Sequence, residues 1–391
     1  MPGRGARRRR AGAVLVILGL MAIGADGADG DSAARQSPAG AMQILGAAPD
    51  GFAIAALPRP FRFPDDHGAH SGFRTEWWYY TGNVATDAGR RFAFQLTFFR
   101  FALSPQVPER ASAWASNQVY MAHFAVTDVD EGRFHAAERF GRGALELAGA
   151  RPQPFRVWLG DWQAGASGGF FPQRLRANDG GYAIDLRLDE DKPVILNGDA
   201  GLSRKSADPG NASYYYSIPR IAVGGTITTP DGGWQVRGAA WFDREWSSSA
   251  LAADQIGWDW FALQLSDGRD LMVFRLRSRD GDGHAYAAGT LVEASGEAHR
   301  LKAQDFLLDE LESWRSPRGG ARYPARWRLR VPDAAIDVEI TPQIPDQELN
   351  LSFRYWEGAS RVAGTSAAVP VTGFGHVELT GYGPDGVTIP R

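Results

Sequence analysis

Three clusters in the 391-residue chain combine acids, hydroxyls and aromatic rings at spacings that could support proton chemistry. In Trp241-Phe242-Asp243-Arg244-Glu245-Trp246, strand alternation puts Trp241, Asp243 and Glu245 on one side, two carboxylates beside an indole. A carboxyl group in an aromatic, poorly solvated cavity has its ionised form disfavoured, so its pKa rises and it becomes a proton donor. Its proton would reach only a weak base held against it, such as an alkene or a carbonyl. The plainer alternative is an Asp243 paired with Arg244 or another arginine at a barrel rim. The second cluster, Tyr214-Tyr215-Tyr216-Ser217-Ile218-Pro219-Arg220, places hydroxyls on both faces of a strand that Pro219 ends or marks as an edge.

The third cluster is His70-Ser71-Gly72-Phe73-Arg74-Thr75-Glu76-Trp77-Trp78-Tyr79-Tyr80-Thr81-Gly82-Asn83, a strand with four consecutive aromatics. Arg74 and Glu76 share a face in a regular strand and can pair, which suits the planar guanidinium fork. The segment is either a structural plug at a barrel end or a cavity wall to which Arg74, Glu76, Trp77 and Tyr79 contribute. His123, inside the apolar run Tyr120 to Asp128, is a core histidine or a second wall residue. Glu357 in Tyr355-Trp356-Glu357-Gly358-Ala359 and Glu378 near the C-terminus are cavity carboxylates or salt-bridged structural acids.

Other chemistries lack their residues. With no cysteine, disulfide scaffolds, thiol nucleophiles, zinc ribbons, iron–sulfur sites and an N-terminal lipidated Cys are excluded. The seven histidines form no His-Glu-x-x-His run and no His-x-His pair, so no metal site is expected. No Gly-x-Ser-x-Gly elbow and no phosphate loop occurs, and no cofactor is expected.

The elements that must position these residues are short runs rich in aromatic and β-branched residues, among them Arg91 to Phe101, Gln118 to Asp128, Trp234 to Phe242 and His376 to Tyr382. Phe92, Phe94, Leu96 and Phe98 fall on one face, and turn signals such as Asp179-Gly180-Gly181 and Ser266-Asp267-Gly268 follow at hairpin spacing. This describes an all-β fold of antiparallel barrels or sandwiches. Only Gln304 to Trp314 has helical spacing, with Phe306, Leu307, Leu311 and Trp314 on one side.

At the N-terminus five arginines (Arg4, Arg7, Arg8, Arg9, Arg10) precede the apolar run Ala11 to Ala25, the pattern of a secretory signal peptide over residues 1–25. A Sec-type signal fits better than a twin-arginine one, and export to the periplasm is expected. Its removal takes away those five positive charges and shifts the formal balance from −3 to −8, which argues against a nucleic-acid partner. Residues 26–50 are small and polar and read as a disordered linker. The remainder divides near residue 247 into barrels at 51–247 and 248–391.

The Phe73 to Asn83 block, the Trp241 to Trp246 block, Tyr355 to Ala359 and Gly375 to Tyr382 together resemble the AttH-like family, related to the carotenoid 1,2-hydratases. The resemblance spans about residues 50–385. It implies two tandem lipocalin-like barrels and export, with an elongated lipophilic ligand such as an isoprenoid or lipid. It further implies hydratase-type lyase activity or, alternatively, a non-catalytic hydrophobe-binding role beside ABC transporter components. In the hydratases the proton donor is an Asp in an aromatic-x-Asp segment, which matches Trp241 and Asp243. Their upstream His-x-Trp falls at Tyr214 and Tyr216, so the resemblance assigns these two tyrosines to the catalytic group, with Tyr216 and Trp241 facing the cation and Tyr214 or Glu245 orienting water. Arg244 stands where relatives often have His. Beside Asp243 it would favour the ionised carboxylate and oppose proton donation, which weighs against carotenoid hydration as such.

Overall fold

The computed structural model describes residues 51–383 except 108, 110, 250, 253 and 279–285. The expected signal peptide and linker lie outside the described residues. Thirteen strands form the first sheet: β1 (Thr75–Ala85), β2 (Arg91–Ala102), β3 (Gln118–Asp128), β4 (Arg133–Arg142), β5 (Ala148–Pro152), β6 (Phe155–Leu159), β7 (Trp162–Ala166), β8 (Gln173–Asp179), β9 (Tyr182–Glu190), β10 (Ile195–Leu196), β11 (Leu202–Arg204), β12 (Ala212–Thr229) and β13 (Gly232–Ser247). Their order is β4-β3-β2-β1-β13-β12-β9-β8-β7-β6-β5, with β10 and β11 paired to β12. Ten strands form the second: β14 (Gln255–Leu265), β15 (Asp270–Ser278), β16 (Ala287–Val292), β17 (Ala298–Lys302), β18 (Leu307–Arg315), β19 (Arg322–Val331), β20 (Ile336–Pro342), β21 (Glu348–Asn350), β22 (Arg354–Ser366) and β23 (Val369–Thr380). Their order is β17-β16-β15-β14-β23-β22-β20-β19-β18, with β21 on β22. All the pairings are antiparallel, and each sheet curls into a near-barrel, the all-β lipocalin-like architecture. Where the first sheet comes round on itself, Gly141 of β4 leaves the space that the Leu159 side chain of β6 occupies.

Alternation fills each barrel. Trp78, Tyr80, Phe92, Phe94, Leu96, Phe98 and Phe242 point into the first, and Phe261, Leu263, Trp327, Leu329, Val338 and Trp356 into the second. Intervening residues on parts of β1, β12, β13, β14 and β15 are buried as well, where the barrels pack outer face to outer face. Tyr79, Tyr215 and Trp241 there meet Trp260, Met272 and Phe274. Strands covered on both faces carry near-continuous apolar runs. Leu271 and Val273 accordingly enter the second core while Phe274 and Leu276 enter the seam. Polar contacts fasten the seam: Arg220 pairs with Asp270 (2.6 Å), Lys192 with Asp270 (2.7 Å), and Gln264 Nε2 donates to the Pro219 and Ala240 carbonyls.

Two expectations are corrected. Gln304 to Trp314 is not a helix: a 3-10 turn (Ala303–Asp305) leads into β18, where register shifts beside Leu311 break the alternation and mimic helical spacing. Leu307 and Leu311 are exposed there, while Phe306, Leu308 and Trp314 pack on the core. Pro219 does not end its strand. β12 runs through it at a bulge between Ile218 and Ile221, where the ladder skips residues and asks nothing of the missing N–H.

Candidate functional site

A cavity of about 150 Å3 lies in the seam, built from the outer faces of both barrels. The first barrel contributes Trp77 and Tyr79 from β1, Gln95 and Phe99 from β2, His123 from β3, Tyr215 from β12 and Asp243 and Glu245 from β13. The second contributes Trp258 and Trp260 from β14, Phe274 from β15, Tyr355 and Glu357 from β22 and Glu378 from β23. Half-buried Trp77, Phe99, Phe101 and Phe353 form an aromatic rim.

Asp243 is 4% exposed and accepts three hydrogen bonds: from Tyr215 Oη (2.7 Å), Ser217 Oγ (2.5 Å) and Trp241 Nε1 (2.7 Å). The β12–β13 register that sets Ser217 opposite Asp243 makes this arrangement. Trp260 Nε1 donates to the Tyr215 oxygen in turn (3.2 Å) and fixes the phenol. Desolvation pushes the carboxyl up to about 7 against the pull of the three hydrogen bonds, and the neighbouring Glu245 adds to the rise. The account in which Arg244 holds Asp243 ionised is therefore corrected. One residue further along β13, Arg244 points into the first barrel, pairs with Glu76 and lies 3.9 Å over the Trp78 ring.

The same parity relocates other expected residues. Tyr214 and Tyr216 do not reach Asp243: Tyr214 donates to the Leu57 carbonyl (2.9 Å), and the Tyr216 hydroxyl lies 2.6 Å from His67 Nδ1. Glu76 is not a cavity residue and its partner is not Arg74; Arg100 and Arg244 both pair with it inside the first barrel. Burial would raise the Glu76 carboxyl, but the two guanidinium groups hold it well below the usual carboxylate range. Arg74 is not among the residues lining the cavity. Trp77, Tyr79, His123, Glu245 and Glu357 do line it.

Glu245 pairs with Lys205 (3.0 Å), whose ammonium sits 4.7 Å from the Phe274 ring centroid. Glu357 accepts from the Tyr79 hydroxyl and from Gln95 Nε2 (2.7 Å), and Glu378 accepts from Trp258 Nε1 (3.1 Å). Among the described residues neither glutamate is salt-bridged in the way its structural reading required. Burial pushes Glu378 up to about 8 and raises Glu357 well above its ordinary value, Glu378 adding to the latter by repulsion. His123 bridges the Tyr355 hydroxyl (2.7 Å) and Glu138 (3.0 Å). Sequence reasoning missed Tyr215, Ser217, Gln95 and Lys205. The signal available was the parity of Tyr215 and Ser217, usable only once Ser217 is placed opposite Asp243.

Fold and site together define a tandem lipocalin-like protein with an acid-bearing aromatic cavity between its barrels. The family model described as AttH-like matches residues 55–382, and the chain belongs to the AttH-like family. Among solved structures, a protein of Nitrosomonas europaea assigned to AttH is 34% identical, with a TM-score of 0.73 over 85% of this chain and 100% of that one. Kievitone hydratase from Nectria haematococca shares the fold at 16% identity, with a TM-score of 0.64 over 86% of this chain and 98% of that one. No curated protein matches the sequence.

Proposed function

We propose that this AttH-like protein is exported, binds an elongated lipophilic ligand such as an isoprenoid or lipid in the inter-barrel cavity, and adds water across an alkene of that ligand. The observation that carries the reading is Asp243: a buried carboxyl facing an aromatic cavity, bonded to neutral donors and out of reach of Arg244. A carboxyl titrating near 7 is matched to proton transfer at neutral pH. In the first step the Asp243 O–H bond breaks and its proton forms a C–H bond with one alkene carbon. The cation left on the other carbon faces electron-rich rings such as Trp260 and Tyr79. Water then forms the C–O bond, and its released proton returns to the Asp243 carboxylate, so the sum is ligand plus one water. Tyr215 and Trp241, by donating to Asp243, stabilise the carboxylate that exists between these steps.

The test is incubation of wild type and Asp243→Asn with an envelope lipid extract, followed by recovery of bound lipid and mass spectrometry. Wild type is expected to yield a species heavier by one water that the variant lacks. Equal capture of unchanged lipid by both proteins would overturn the enzymatic reading and leave a hydrophobe carrier, the form that would serve an ABC-type export system.

A further inference from the structure

The far pole of the cavity holds a charge pattern that the hydration step does not use. Glu357 and Glu378 stand directly opposite each other on β22 and β23, both on the cavity face. If both were ionised they would repel, more so where solvent is displaced, so the pair does not hold two negative charges without a cation. Yet among the described residues the hydrogen-bond donors to these two acids, Tyr79, Tyr355, Gln95 and Trp258, are all neutral. The two cations of the lining are engaged elsewhere: Lys205 pairs with Glu245, and Arg354 donates to Asn350 Oδ1 (3.2 and 3.1 Å). Gln95 points independently to the same need. It is 3% exposed and lines the cavity beside Glu357, and its Oε1 has no hydrogen-bond partner among the described residues. A buried acceptor left without a donor is costly, and a bound group carrying N–H would satisfy it. This pole thus sets one unmatched acceptor beside two acids that have no cationic partner among the described residues, and it is walled by Tyr79, Tyr355 and Trp258, whose ring faces attract positive charge.

We propose that Glu357, Glu378 and Gln95 form a receptor for a protonated amine carried by the lipophilic ligand, whose hydrocarbon body lies along Trp77, Phe99 and Phe274. The proposal rests on the reading that the cavity takes a lipophilic ligand, and it narrows that ligand to a basic amphiphile. The ammonium would donate to both glutamates and to Gln95 Oε1, placing one positive charge between two acids whose ionisation it would favour. Asp243, held by its own three donors, stays free for the proton transfer.

The experiment is calorimetric titration of the full chain at about pH 8 with three probes of equal chain length: n-octylamine, n-octanol and n-octanoate. n-Octylamine is expected to bind about tenfold or more tighter than n-octanol, and n-octanoate weakest, the order a charge-assisted hydrogen bond to a carboxylate gives. Glu357→Gln and Glu378→Gln should each lower n-octylamine affinity far more than n-octanol affinity and so erase the amine preference, and Asp243→Asn should keep it. Two near-isosteric variants are used so that one decides if the other fails to fold. Equal affinity for n-octylamine and n-octanol, a preference for n-octanoate, an amine preference that survives both glutamine variants, or no binding of any probe would each overturn the proposal. Absence of an amine preference in the wild type with the Asp243-dependent mass gain intact overturns this inference alone. The reverse pattern overturns hydration alone.

Discussion

Asp243 and Arg244 are neighbours on β13, yet they belong to two electrostatic regimes separated by one step of the strand. Inside the first barrel, Glu76 is among the most deeply buried acids of the chain, and two arginines keep it ionised. In the seam, Asp243, Glu357 and Glu378 meet only neutral hydrogen-bond donors, and burial moves them towards the protonated state. Residue type is the same in both places; what differs is whether a guanidinium shares the face. The barrel interior therefore holds its acid ionised between guanidinium groups, whereas burial among neutral donors raises these three seam acids; Asp270 and Glu245 in the same seam pair with cations.

That contrast can be broken from either side. The largest effect is expected inside the barrel. Glu76→Gln leaves Arg100 and Arg244 buried without their counter-charge and should destabilise the protein by about 3–5 kcal/mol, read by denaturant unfolding. A loss below about 1 kcal/mol would show that this cluster does not hold the barrel. An effect of opposite sign, confined to high pH, is expected in the seam. The folded Glu378 titrates at about 8 against an ordinary 4.5, so the native state keeps a proton that the unfolded chain gives up between those values. Wild-type stability from this group is therefore highest at low pH and declines as pH rises from about 4.5 through 8. Glu378→Gln should be more stable than wild type at pH 8 and indistinguishable from it near pH 4. A destabilised variant at pH 8 would place Glu378 in the structural class with Glu76.

Much of the fold was legible in the sequence because period-two alternation and hairpin turns depend on local geometry. Phe92, Phe94, Leu96 and Phe98 lie on the inner face as their spacing requires. Gln304 to Trp314 misled because register shifts in β18 interrupt the period that identifies a strand. The site was legible only to within a parity. Alternation groups Trp241 with Asp243 and Glu245 and sets Arg244 apart, but it does not say which group faces the ligand. In an isolated barrel the inner face would be the buried one. Here the second barrel buries the outer face as well, and this brings Tyr215, rather than Tyr214 or Tyr216, to Asp243. The opposition of Glu357 to Glu378 was equally hidden, since the register between β22 and β23 is not a local property of either segment.

The central claim is that Asp243 is a neutral or half-neutral acid in the seam near pH 7, beyond the influence of Arg244. It is tested most directly by following the protonated-carboxyl band of Asp243 by infrared difference spectroscopy across pH 4 to 9, with Asp243→Asn identifying the band. The expected midpoint is about 7. A second expectation follows from the hydrogen bond that pulls this value down: Tyr215→Phe should move the midpoint upward while Tyr216→Phe leaves it in place. A midpoint at or below the ordinary carboxylate value, or one that responds to Tyr216 and not to Tyr215, would contradict the account.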